Sequence, residues 1–173
     1  PVCTFFEAYW QDKFSNNVLP LRVGLDVATI NDVMGVIEIL SSRREYTKLN
    51  PFVVLLGKGD HQITSSWTEP THGLAYSSTL GITRNNITFV GTGKDTTTIL
   101  GGFGIYNLEN ITFKEMTVTN TSYGCHGLGH GIQVQIAEVE LFDIAFKGCR
   151  NAGLFVRETI SETTTVVATR CEF

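Results

Sequence analysis

Apolar and polar positions alternate in short runs that recur along the chain. Asn86-Ile-Thr-Phe89 returns as Asn110-Ile-Thr-Phe113, then in degenerate form as Glu138-Val-Glu-Leu141 and Thr165-Val-Val-Ala168. Each run predicts a strand with two residues pointing inward: Ile87 and Phe89, Ile111 and Phe113, Val139 and Leu141, Val166 and Ala168. A second strand trails at a fixed offset: Met116-Thr-Val118, Ile144-Ala-Phe146 and Cys171-Glu-Phe173. A third type opens on glycine, as Gly104-Ile-Tyr106, Gly131-Ile-Gln-Val134 and Gly153-Leu-Phe-Val156. Three short strands per unit of about 22 to 28 residues predict stacked coils that bury one continuous core.

Before the repeats the period changes. Ile30, Val33, Met34, Ile37 and Leu40 fall at helical spacing, with Thr29 as N-cap and Asp32 in a capping-box position. A helix over 29–44 is expected, with Arg43 and Arg44 in its last turn, covering the first coil. Phe52-Val-Val-Leu-Leu56 reads as a buried strand, Asp60–Ile63 as another, and 64–80 as a loop excursion. Residues 1–25 carry Phe5, Phe6, Tyr9, Trp10 and Phe14 and are set apart as an arm for the coil or a partner; 26–173 is taken as one domain. Pro1 is not a translation start, and a coil that stops at Phe173 leaves an open edge. More chain is therefore expected upstream, and further coils or a partner at the far end.

Composition narrows the function classes. A net charge of −4 gives no basic footprint for nucleic acid, and no apolar run is long enough to span a membrane. With 17 glycines and 17% charged residues the chain suits a turn-rich β protein. Cys3, Cys125, Cys149 and Cys171 lack paired metal spacing and are expected mainly as small buried hydrophobes, with a disulfide as the alternative.

The capping helix, Val53–Ile63, Asn86-Ile-Thr-Phe-Val-Gly91 and the repeats at Asn110, Glu138 and Thr165 resemble the right-handed parallel β-helix proteins of the pectin-lyase-like superfamily. The likeness covers roughly residues 26 to 173. Its flavour is that of the "right-handed β-helix region" proteins of algae and large algal viruses. The resemblance implies an all-β, right-handed parallel β-helix with three short strands per coil. It does not fix an activity, since the superfamily spans lyases, hydrolases and inert scaffolds. Polygalacturonase-like marks are incomplete: in Asn120-Thr-Ser122 a serine replaces the carboxylate, Gly129-His-Gly131 follows too closely, and Asp-Asp is absent. The aspartate cluster of a pectate lyase is missing too.

Several positions still carry chemistry. Taking Ile99, Met116, Ile144 and Cys171 as equivalents puts Thr98, Glu115, Asp143 and Arg170 in one column. Strands in such a stack lie about 4.8 Å apart. Glu115 and Asp143 would then be neighbours able to raise one carboxyl pKa; a solvated surface ladder is the favoured reading. Thr88, Thr112, Glu140 and Val167 form a second outward column. With Gln133, Gln135 and Tyr123 they offer hydroxyls and amides to a sugar, or are simply good strand surface. The glycine-rich loop 121–131 holds Cys125, His126 and His130, weak metal ligands lacking a fourth, and His126 and His130 join Glu115, Asp143 and Arg170 as catalytic candidates. Asn86, Asn110 and Asn120 head glycosylation sequons, though two coincide with the repeat.

No cofactor is expected. The reading is a non-catalytic solenoid, a structural or interaction module that binds protein subunits of an assembly or a polysaccharide, at an extracellular or virion surface. The alternative is a polysaccharide lyase or glycoside hydrolase.

Overall fold

The computed structural model describes residues 20–42, 44–122, 129–157 and 162–173. Most of the arm, Arg43, Tyr123, Cys125 and His126 lie outside the described residues. The chain is all-β apart from one short helix, and its parallel sheet curls like a half-barrel.

After β1 (Leu21–Val23), a single 3-10 turn (Ile30–Asp32) leads into α1 (Val33–Ser41). The helix is shorter than the periodicity predicts. Its start is as expected: the Asp32 carboxylate accepts from both the amide and the hydroxyl of Thr29, at 2.9 and 2.8 Å. Val33, Val36 and Ile37 are buried in the same core as the strands.

The strands β2 (Phe52–Leu56), β3 (Gly59–Gln62), β6 (Thr79–Gly81), β7 (Ile87–Val90), β8 (Thr97–Leu100), β9 (Gly102–Thr119), β10 (Ile132–Phe146), β11 (Leu154–Arg157) and β12 (Thr165–Thr169) pair in parallel, each with its equivalent one unit on. The 64–80 excursion carries a small antiparallel pair, β4 (Trp67–Thr68) and β5 (Ala75–Tyr76). The central register is the one the sequence repeat predicts. Ile87 pairs with Ile111, Ile111 with Val139 and Val139 with Val166. Phe89, Phe113 and Leu141 follow on the buried side, with the rings of Phe89 and Phe113 stacked at 5.3 Å.

Two equivalences need correction. Ile99 pairs with Val118, not Met116, so Thr98 stands beside Thr117 and outside the Glu115 column. The glycine-led strands are also shifted: Phe103 pairs with Ile132 and Ile132 with Leu154, while Gly104 stands between Gly81 and Gln133. The counterpart of Gly131 is thus Gly102. Both glycines sit where a Cβ would come within 2.3 to 2.5 Å of a neighbouring carbonyl oxygen.

The repeated strands do not break where the sequence suggests turns. β9 and β10 run on through bends made by single residues of positive φ: Asn107, Asn110 and Glu115 on one, Ile136 and Asp143 on the other. Asn86 and Arg170 take the same conformation. Asparagine tolerates it better than most residues, which explains the leading Asn of the repeat. The Asn86 side chain donates to Tyr46 O, and that of Asn110 donates to Asn86 Oδ1 at 2.9 Å. The ladder ends there because β10 is one residue shorter at this bend: Ala137 pairs with Leu108 but Val139 already pairs with Ile111.

Candidate functional site

Strand register places Thr88, Thr112 and Glu140 side by side on successive strands, as the repeat predicts, but Thr88 is buried and only Thr112 and Glu140 are open to solvent. They line a cleft of about 200 Å³ with Asn110, Lys114, Glu138, Pro51 and Lys48. Lys48 comes from the turn before β2 and reaches across the stack to pair with Glu138 at 3.0 Å. Glu138 also borders a groove of about 520 Å³ lined by Asn85, Asn107, Glu109, Thr163 and Thr165. Asn85 fixes one wall by accepting from the Glu109 amide at 3.0 Å. The two hollows therefore share one carboxylate and present amides, hydroxyls, carboxylates and two ammonium groups on one side of the sheet. Asn110 Oδ1, which the interrupted ladder leaves without a partner, belongs to the cleft-lining residue.

Gln133 and Gln135 do not belong to this surface. Read from sequence as exposed, they are 2% and 1% accessible, and Thr117 is buried as well. The 64–80 excursion covers the glutamines. Gln133 Nε2 donates to Tyr76 Oη at 3.3 Å and Gln135 Nε2 to Thr71 Oγ1 at 3.0 Å. The excursion is seated by Trp67, whose ring occupies the space that side chains at Gly81 and Gly104 would fill.

Under this cover lies a polar cluster that sequence reasoning missed. The Glu69 carboxylate is wholly inaccessible and accepts from the amides of Thr71 at 2.7 Å and His72 at 3.0 Å. Burial alone would raise its pKa, but the hydrogen bonds from Thr71 and His72 outweigh burial and hold it below the ordinary carboxylate value. Arg157 of β11 lies 3.5 Å from Glu69 Oε2. His130 is buried against Phe155, ring centroids 4.4 Å apart, and its Nδ1 has no partner. Burial, then the nearby charge of Arg157, lowers its pKa. Only the tryptophan of the excursion and the paired glycines hinted at this packing.

The catalytic candidates separate. Glu115 and Asp143 occupy equivalent bends, as the Met116–Ile144 pairing requires. Asp143 is flanked by two cations: Arg170 Nη2 at 3.4 Å and Lys94 Nζ at 3.9 Å. Lys94 also binds Glu172, and the Arg170 guanidinium lies 4.1 Å from the centre of the Phe142 ring. His130 lies in the covered cluster with Tyr76 and Phe155, and His126 falls outside the described residues. Among the described residues no group of three His, Cys, Asp or Glu is placed to hold a metal ion. Cys149 and Cys171 are free thiols, and burial raises the pKa of Cys149.

The three sequon amides are all engaged. Asn86 and Asn110 make the ladder, and the buried Asn120 donates to His130 O at 2.7 Å. Asn120 is also buried, which leaves no room there for a glycan.

Searches against protein-family models, curated proteins and solved structures gave no match to this chain. Among the described residues no helix is long and apolar enough to cross a membrane.

Proposed function

We propose that the protein is a right-handed parallel β-helix solenoid acting as a non-catalytic interaction module, with the surface on either side of Glu138 taking up a glycan. Parallel pairing of each strand with the next equivalent supports a coil, and parallel crossovers are right-handed in the great majority of cases. The likeness to the pectin-lyase-like superfamily is part of the same proposal.

The observation that carries the binding reading is the shared wall. Two adjoining hollows meet at Glu138 and are lined by hydroxyl, amide and charged side chains from at least three successive strands. Such groups hydrogen-bond a polyhydroxylated chain, and their repeat along the stack suits a polymer. Lys114, Thr112 and Glu140 would make the direct contacts. Titration calorimetry with neutral and acidic oligosaccharides tests this. Lys114→Ala and Glu140→Gln should each weaken binding by about tenfold or more, the scale of a lost charge-assisted hydrogen bond. Absence of heat with the whole panel would remove the glycan and leave a protein partner as the module's ligand.

The stacked Glu115 and Asp143 favour a second reading, a polysaccharide lyase or glycoside hydrolase. It requires turnover that Glu115→Gln or Asp143→Asn abolishes without unfolding the chain. The close cations on Asp143 favour the surface-ladder interpretation instead.

A further inference from the structure

The outer side of α1 is left apolar. Val33 and Ile37 belong to the core, while Gly35, Val36 and Ile39, with Val27 and Ala28 from the preceding turn, line an open groove of about 550 Å³. The polar residues at its rim are already engaged. Asp26 pairs with Arg22 at 3.0 Å, and the Asp32 carboxylate accepts from Thr29. The Asn31 side chain donates to Gln62 O and accepts from the Thr64 amide. The walls are therefore aliphatic at the capped end of the stack, where solubility calls for a polar outer face. Leu25, next to Asp26, is 67% exposed.

Gly35 lies on this outer side and is exposed. A glycine inside a helix weakens it relative to alanine, because the unfolded chain has more freedom to lose. Nothing lies within 4 Å of the place where a Cβ on Gly35 would stand. No contact among the described residues accounts for it. The missing side chain leaves a flat floor between Val36 and Ile39 on which a ring can lie. Gly81 and Gly104 make such a floor for Trp67.

We propose that this groove seats the chain's own N-terminal segment, residues 1–19, through its aromatic side chains. That segment carries Phe5, Phe6, Tyr9, Trp10 and Phe14. It joins the fold beside the groove. The Arg22 amide donates to Asp26 Oδ2 at 2.8 Å, so a residue of the groove wall touches the chain two positions after Pro20. Reach is no obstacle: α1 is about 14 Å long, and an extended segment of this length spans several times that. A short tether holds its end at roughly millimolar effective concentration. The segment therefore takes the seat ahead of a second copy or a free partner. Aromatic rings laid on aliphatic walls supply the driving force. The proposal does not depend on the glycan reading.

The fluorescence of Trp10 tests this. The chain has two tryptophans, Trp10 and Trp67, so Trp67→Phe in the full chain leaves Trp10 as the reporter. Its emission should lie to the blue of its value in urea, and acrylamide should quench it several-fold less than in urea. Gly35→Glu or Ile39→Glu in the same background puts a carboxylate into the seat. Quenching should then rise to the urea level while the circular dichroism stays that of the parent. Trp10 as accessible in buffer as in urea overturns the proposal. So does protection that survives both substitutions, which would place the segment elsewhere, or protection lost on dilution, which would assign the contact to a second copy. If Trp67→Phe does not fold, amide hydrogen exchange decides. Residues 26–39 should exchange several-fold faster in Trp10→Ser than in the wild type, and equal exchange overturns the proposal.

Discussion

The indole of Trp67 lies against the backbone of Gly104, so that a Cβ built on Gly104 would stand 2.3 Å from Trp67 Cδ2. A Cβ built on Gly81, the strand neighbour of Gly104, would stand 2.3 Å from Cδ1 of the same indole. The excursion is docked by a large aromatic on a bed with no side chains.

A methyl group on that bed should displace the ring. Gly104→Ala is expected to cost about 1–3 kcal/mol, the usual range for overpacking a filled site. The cost should shrink in a Trp67→Ala background, because the two residues share one contact. Urea denaturation of the four proteins of the cycle measures the coupling; strictly additive losses would mean that the ring is not seated there.

The Asn86–Asn110 ladder gives a second expectation. Asn110→Ala removes a hydrogen bond and puts an alanine at φ 56°. Together these should cost about 2 kcal/mol. Asn110→Gly loses the bond but relaxes the backbone, and should cost about half as much. Equal losses would show that the backbone conformation carries no penalty.

Ile136 occupies the bend equivalent to Asn107 with φ 52°, a conformation that disfavours a β-branched residue. It is strained where its neighbour is not. Ile136→Asn should therefore raise stability by about 1 kcal/mol, the low end of the cost of such strain, visible as a higher urea midpoint. A lower midpoint would mean that the half-covered isoleucine side chain contributes more than the strain removes.

Global stability should depend on pH through His130. Burial and Arg157 hold its folded-state pKa below the ordinary value of about 6.5. The unfolded chain then binds the proton more readily than the folded one. Stability should be constant above about pH 6.5, fall as pH drops below it, and level off once the folded-state value is passed. Denaturation series across this range should show a smaller decline for His130→Gln than for the wild type.

The fold was legible where chemistry repeats. Ile87, Ile111, Val139 and Val166 recur in equivalent runs, and a repeated run stacks on itself. Legibility failed where the spacing between runs varies. The chain makes an extra turn from Gly91 to Thr96 before β8, which moved Ile99 two places along its neighbour. Glycine misled as a register mark because Gly104 and Gly102 serve different purposes, one under Trp67 and one against a backbone. In the candidate site, Thr88, Thr112 and Glu140 could be read from alternation alone. Lys48 could not, since it reaches Glu138 from 90 positions away. Nor could the pairing of Glu69 and His72 with Arg157, which no repeat relates.

The most direct test of the interaction-module account is an NMR titration of the labelled protein with the same oligosaccharide panel. The account predicts shift changes confined to Thr88, Asn110, Thr112, Lys114, Glu138 and Glu140, with the sugar recovered intact. Changes centred on Glu115 and Asp143 with cleavage of the sugar would contradict it and make the protein an enzyme.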